Sequence, residues 1–165
     1  MASILAFLGF TSGPESTDSD SIQQIAAELD RLEPDQSRYI AGFAFVLSRL
    51  AAADHVITPD EARLMERLVQ EKGELPAEQA ALVVEMATRQ QRLFGATDDF
   101  LVSRELQRSA SYEQRLHLVE CLFELAATDE RIRGEEADEI SRIARELRIE
   151  PAEVLRLRSR HRNLL

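Results

Sequence analysis

The sequence predicts an all-α fold: one bundle of seven to eight helices containing two helical hairpin repeats related by a pseudo-twofold. Three observations carry this expectation. The 165 residues are 44% hydrophobic with only six Gly and five Pro, too few turn formers for a sandwich or barrel. The Pro, Gly, Ser and Thr that do occur stand where helices should start and stop. A segment is also written twice, 75 residues apart. From Leu47/Leu122 to Glu61/Glu136 the copies share Leu47/Leu122, Leu50/Leu125, Ala51/Ala126, Ala52/Ala127, Asp54/Asp129, Ile57/Ile132 and Glu61/Glu136. Repetition at fixed spacing is the mark of one supersecondary unit used twice and packed on itself.

Taken in order, residues 1–20 form an arm and linker, and 21–165 form the helical domain. Ile4, Leu5, Phe7, Leu8 and Phe10 make a short apolar run without the basic flank of a signal peptide and too short to span a bilayer. Its expected role is to rest on its own domain, with weak peripheral contact to a membrane or partner as the alternative. Thr11–Asp20 is entirely small, polar or turn-forming and reads as a linker. Ser21 caps a helix to about Leu32, which Pro34 ends. The next helix, about Gln36 to Ala53, is apolar nearly all round from Tyr39 apart from Ser48 and Arg49, as suits the centre of a bundle.

Thr58-Pro59-Asp60-Glu61 then supplies an N-cap, a Pro at the first helical position and a reciprocal Glu, starting a helix that should stop at Lys72-Gly73. Pro76 opens an amphipathic helix that should end at Gly95, and Thr97 caps a further one containing Phe100, Leu101 and Leu106. Ser111 to Gln114 is a second capping box. It begins the repeat of the central helix, with Leu116, Leu118, Val119, Cys121, Leu122, Phe123 and Leu125. Gly134 to about Leu147 repeats the helix that starts at Thr58, and Pro151 opens the last one.

A net charge of -10 and a pI near 4.8 argue against general nucleic-acid or anionic-membrane binding and are compatible with cations or a basic partner. A lone Cys121 gives no disulfide and fits a reducing, cytoplasmic compartment. Nineteen of the twenty basic residues are Arg, a bias that points to a GC-rich bacterial source. There is no phosphate-binding Gly loop, no Gly-x-Ser-x-Gly and no His-Glu-x-x-His. Cys121 aligns with Val46 and reads as core, and His117, four residues earlier, lacks an orienting third group. The chain is therefore expected to be non-enzymatic. Arg156, Arg158, Arg160 and Arg162 are spread around a helix with no interleaved aromatics and read as solvated charges.

Asp54, Glu61, Asp129 and Glu136 are the polar residues of the repeat. Asp54 and Asp129 fall at helix C-termini, where exposed carbonyls already make the field negative. One reading is local: the Asp closes the turn and the Glu completes a capping box. It fits Glu61 better than Glu136, since Arg133 at the matching cap position offers no acceptor. In another reading the reversing chain brings Asp and Glu together and the two hairpins converge, giving enough oxygen charge for a hard divalent cation such as Ca²⁺, Mg²⁺ or Mn²⁺. In a third, the acidic face docks a basic protein partner. Zinc is less favoured, because only the first copy carries a nitrogen ligand, His55. An EF-hand is excluded, since its first and third ligand positions would be Leu50 and Ala52, or Leu125 and Ala127.

The doubled Leu-Ala-Ala-x-Asp-x-x-Ile-x-x-x-Glu hairpin around a middle pair of helices resembles the TerB-like tellurite-resistance family. The resemblance covers roughly Gln36 to Leu157 and is strongest over Ala52–Glu61 and Ala126–Glu136. It implies an all-helical bundle with internal pseudo-twofold symmetry, a place in bacterial stress and tellurite resistance, and metal binding at Asp54, Glu61, Asp129 and Glu136. The small residue that commonly follows the Asp is here His55 in one copy and Glu130 in the other.

Overall fold

Twelve consecutive residues, Ile40 to Ala51, are buried, so one helix occupies the middle of the molecule. The computed structural model describes residue 31 and residues 33–53, 57–127 and 134–161, with the backbone alone at 37, 73, 86 and 89–101. Those residues form the helices α1 (Pro34–Ala51), α2 (Pro59–Gly73), α3 (Ala77–Ser109), α4 (Tyr112–Ala126), α5 (Gly134–Glu146) and α6 (Pro151–Arg160), and include no strand. The central α1 packs against α2, α3, α4 and α5, while α4 also touches α2, α5 and α6. Phe43, Leu47, Leu118 and Leu122 are at most 1% exposed: α1 is buried as its nearly all-round apolarity requires, while α4 buries its second half, Leu118, Val119, Cys121, Leu122, Phe123, Leu125 and Ala126, and keeps Glu113, Gln114 and Glu124 exposed. The N-terminal arm, the linker and the helix expected from Ser21 lie outside the described residues.

Most predicted boundaries hold for the stated local reasons. In α2, Thr58 Oγ1 accepts from Glu61 N at 3.2 Å and Pro59 takes the first helical position. In α4, Ser111 Oγ accepts from Gln114 N at 3.1 Å while Gln114 Oε1 accepts from Ser111 N at 2.8 Å. Both are complete capping boxes, each satisfying backbone donors at a helix start. Pro34 sits in the first turn of α1, where its missing N–H is no loss; the helix it was expected to end lies outside the described residues.

One expectation is corrected. Gly95 does not stop a helix and Thr97 does not cap one, because α3 runs without interruption for 33 residues, about 50 Å at 1.5 Å per residue. A single Gly inside a helix costs only about 1 kcal/mol relative to Ala, and no Pro follows Gly95 to enforce a break. Residues from both parts of α3, Ala80, Val83 and Ala87 before Gly95 and Leu106 after it, join one core, so packing carries the helix through. The helix α2 ends at Lys72-Gly73 as expected. Gly73 is the last helical residue, and the left-handed position after it belongs to Glu74, with φ 52°. Arg148 takes the equivalent position after α5, with φ 54°. In each case the next residue, Leu75 or Ile149, is buried and its N–H turns back to the helix, to Gln70 O at 3.2 Å and Ala144 O at 2.9 Å. This closure satisfies terminal carbonyls and explains why non-glycine residues accept the strain. The two left-handed residues are one position short of the 75-residue spacing, so the hairpins lose register at their far ends.

At Gly42 the side chain of Leu106 from α3 packs directly on the backbone of α1. A Cβ built there would meet Leu106 Cγ and Cδ2 at 2.8 Å, so absence of a side chain, not backbone freedom, is what this position requires.

Candidate carboxylate site

Glu61 and Glu136 each occupy the first turn of a helix, α2 and α5, where a helix N-terminus favours negative charge. Both are buried, at 2% and 4% exposure. Glu61 Oε2 accepts from Thr58 N at 2.7 Å and from Thr58 Oγ1 at 2.8 Å. That carboxylate closes the capping box, as the local reading of the sequence expects. Glu136 is likewise engaged. Asp54, His55 and Asp129 lie outside the described residues, so the convergence expected of the four carboxylates falls partly there. Among the described residues, no three or more His, Cys, Asp or Glu side chains are grouped closely enough to hold a metal ion. Glu61 and Glu136 are hard oxygen donors that suit Ca²⁺, Mg²⁺ or Mn²⁺, but two carboxylates fall short of the six to eight oxygens that Ca²⁺ takes.

Cys121 is fully buried, and that burial, reinforced by Glu124, pushes its thiol up to about 12. A thiol so held is neither a nucleophile nor a ready metal ligand. Burial, helped by Cys121, likewise raises the Tyr39 hydroxyl to about 12. His161 stacks on Phe123 with ring centroids 5.9 Å apart. Of the C-terminal arginines, Arg156 pairs with Glu153 and Arg160 with Glu120, so their charge is spent locally.

The most elaborate polar cluster was not singled out by sequence reasoning. Arg49, one of the two polar interruptions of α1, is 4% exposed. Its Nε donates to Glu139 Oε1, while Nη1 and Nη2 reach Glu146 Oε2 and Oε1 at 2.7 and 3.2 Å. Nη1 also lies 3.4 Å from Ser103 Oγ. One guanidinium thus joins α1, α3 and α5. Burial alone would raise the Glu146 carboxyl, but hydrogen bonds from Arg49 and Ser103, together with the Arg49 charge, outweigh it and hold Glu146 below its ordinary value. The other interruption, Ser48, donates to Ala44 O at 2.9 Å and meets Thr88 Oγ1 at 3.3 Å. An Arg inside a twelve-residue buried run was the available signal, because a buried charge demands a partner.

Residues 40–159 match the model of one protein family, described as Tellurite resistance protein TerB. No curated protein and no solved structure matches the chain. Among the described residues, no helix is long and apolar enough to cross a membrane.

Proposed function

We propose that this chain, which belongs to the TerB family, is a non-catalytic cytoplasmic stress-response module whose duplicated Asp–Glu hairpins take up a hard divalent cation. One observation carries the reading: a carboxylate is buried at the same place in each hairpin, Glu61 at 2% and Glu136 at 4% exposure. Burying a carboxylate is unfavourable unless its charge is compensated, and the chain does so at two positions 75 residues apart. Capping engages one oxygen of Glu61 and leaves the other for a ligand. Contacts of α1 with α4, α1 with α5 and α2 with α4 support a pseudo-twofold relating α1–α2 to α4–α5. Under that symmetry Asp54, Glu61, Asp129 and Glu136 would supply the ligand oxygens, and an all-oxygen set favours Ca²⁺, Mg²⁺ or Mn²⁺ over Zn²⁺.

The test is a thermal melt of metal-free protein with each ion in turn. An ion that binds only the folded state raises the melting temperature by mass action, by roughly 5–10 °C at a hundred times its dissociation constant. Glu61→Gln/Glu136→Gln keeps the Thr58 capping box but removes ligand charge, and should abolish that rise. A melt insensitive to millimolar Ca²⁺, Mg²⁺ and Mn²⁺ would refute the metal reading and leave an acidic surface docking a basic partner as the better account.

A further inference from the structure

On a chain of net charge -10, one cleft reverses the local sign. It lies where α3 and α5 pack, has a volume of ≈ 430 Å³, and is lined by Arg104, Gln107 and Arg108 of α3 together with Arg145, Glu146 and Arg148 at the end of α5. All four arginines are exposed. None of them pairs with a carboxylate among the described residues, whereas Arg38, Arg49, Arg63, Arg142, Arg156 and Arg160 all do. The one carboxylate in the lining is already committed: both oxygens of Glu146 accept from Arg49, which neutralises it from the buried side.

Arginines also collect at helix C-termini to offset the negative end of the dipole. At the end of α5 that need is largely met without their side chains. The end of α5 is closed by Arg148 N donating to Arg145 O and Ile149 N to Ala144 O, while Arg115 Nη1 donates to Leu147 O. Among the described residues, the four guanidinium groups of the cleft therefore have no carboxylate partner and can face a ligand.

We propose that this cleft binds a small ligand carrying two or more phosphate groups. Guanidinium forks match phosphate oxygens in bidentate fashion. Arg104 and Arg108 lie one turn apart on α3, and Arg145 and Arg148 face the same cleft from the end of α5, so four guanidinium charges line it, more than the charge of roughly -2 on a single phosphate group neutralises. The volume is that of a small-molecule pocket.

The experiment is a thermal melt of the full chain in metal-free buffer at constant ionic strength, titrated with inorganic pyrophosphate, orthophosphate or sulfate. Removing divalent ions keeps chelation by pyrophosphate from being read as binding. Pyrophosphate should raise the melting temperature saturably, by roughly 5–10 °C at a hundred times its dissociation constant, and should act at least tenfold more tightly than orthophosphate or sulfate. Arg104→Gln/Arg108→Gln and, independently, Arg145→Gln/Arg148→Gln should each weaken it at least tenfold, while Arg63→Gln/Arg156→Gln on other surfaces should not. Absence of a saturable shift, an equal shift from sulfate, or a pyrophosphate shift that survives both cleft variants would overturn the proposal.

Discussion

Replacing Arg49 with Met tests whether the polar cluster between α1, α3 and α5 stabilises the fold. Methionine keeps much of the stem that packs in the core and removes the charge, stranding Glu139 and Glu146. Loss of one partner from a fully buried ion pair costs about 3–5 kcal/mol. Here the guanidinium side chain is 3% exposed, but Glu139 and Glu146 keep 12% and 18%, and this residual solvation lowers the expectation to about 2–4 kcal/mol at neutral pH. Urea unfolding followed by circular dichroism measures it, and the pH dependence identifies the cause. Glu146 is held below its ordinary 4.5 in the folded protein, so the stability it contributes is present above that value and lost as pH falls through the lowered one. In the variant the lowering is gone and burial favours the neutral acid. The deficit of Arg49→Met should therefore be largest near pH 7 and shrink toward pH 4, and adding Glu139→Gln/Glu146→Gln should recover a large part of it. A variant within about 0.5 kcal/mol of the parent, the range of an ordinary surface substitution, or a deficit that grows toward acid, would refute the reasoning.

Gly42→Ala should destabilise the protein by about 1–2 kcal/mol despite alanine's better helix propensity, because Leu106 is 1% exposed and cannot yield; a raised melting temperature would contradict this. Glu74→Gly, which relieves the left-handed backbone at φ 52°, should gain about 0.5–1 kcal/mol in the same urea assay. Thr58→Ala should cost about 1 kcal/mol through loss of the cap, whereas Glu61→Gln alone should cost little, because Gln still completes the box. Cys121, buried and raised to about 12, should resist a thiol reagent in native protein at pH 8 and react on unfolding; rapid native labelling would show that α4 is less tightly packed than described.

Features that need only a few neighbouring residues were legible in the sequence. Thr58-x-x-Glu61 and Ser111-x-x-Gln114 close their hydrogen bonds within one turn, and Pro151 fits the first turn of α6 because of its own ring. The burial of α1 was equally legible, since a helix apolar nearly all round has nowhere to go but the interior, and that of α4 was legible on the side that carries Leu118, Val119, Cys121, Leu122 and Leu125. The continuity of α3 was not, because local propensity at Gly95 differs from a true stop by about 1 kcal/mol and packing on both sides of it decides. Nor could the sequence give the partners of Arg49, which lie 90 and 97 positions away, or the meeting of Arg104 and Arg108 with Arg145 and Arg148 across α3 and α5. The repeat drew attention to Asp54, Glu61, Asp129 and Glu136 because identity along the chain is visible without a fold. The Arg49 cluster and the arginine cleft have no counterpart in the repeat and arise only where different helices touch. Charge pairing over such separations depends on how the helices pack, and only the tertiary structure fixes that.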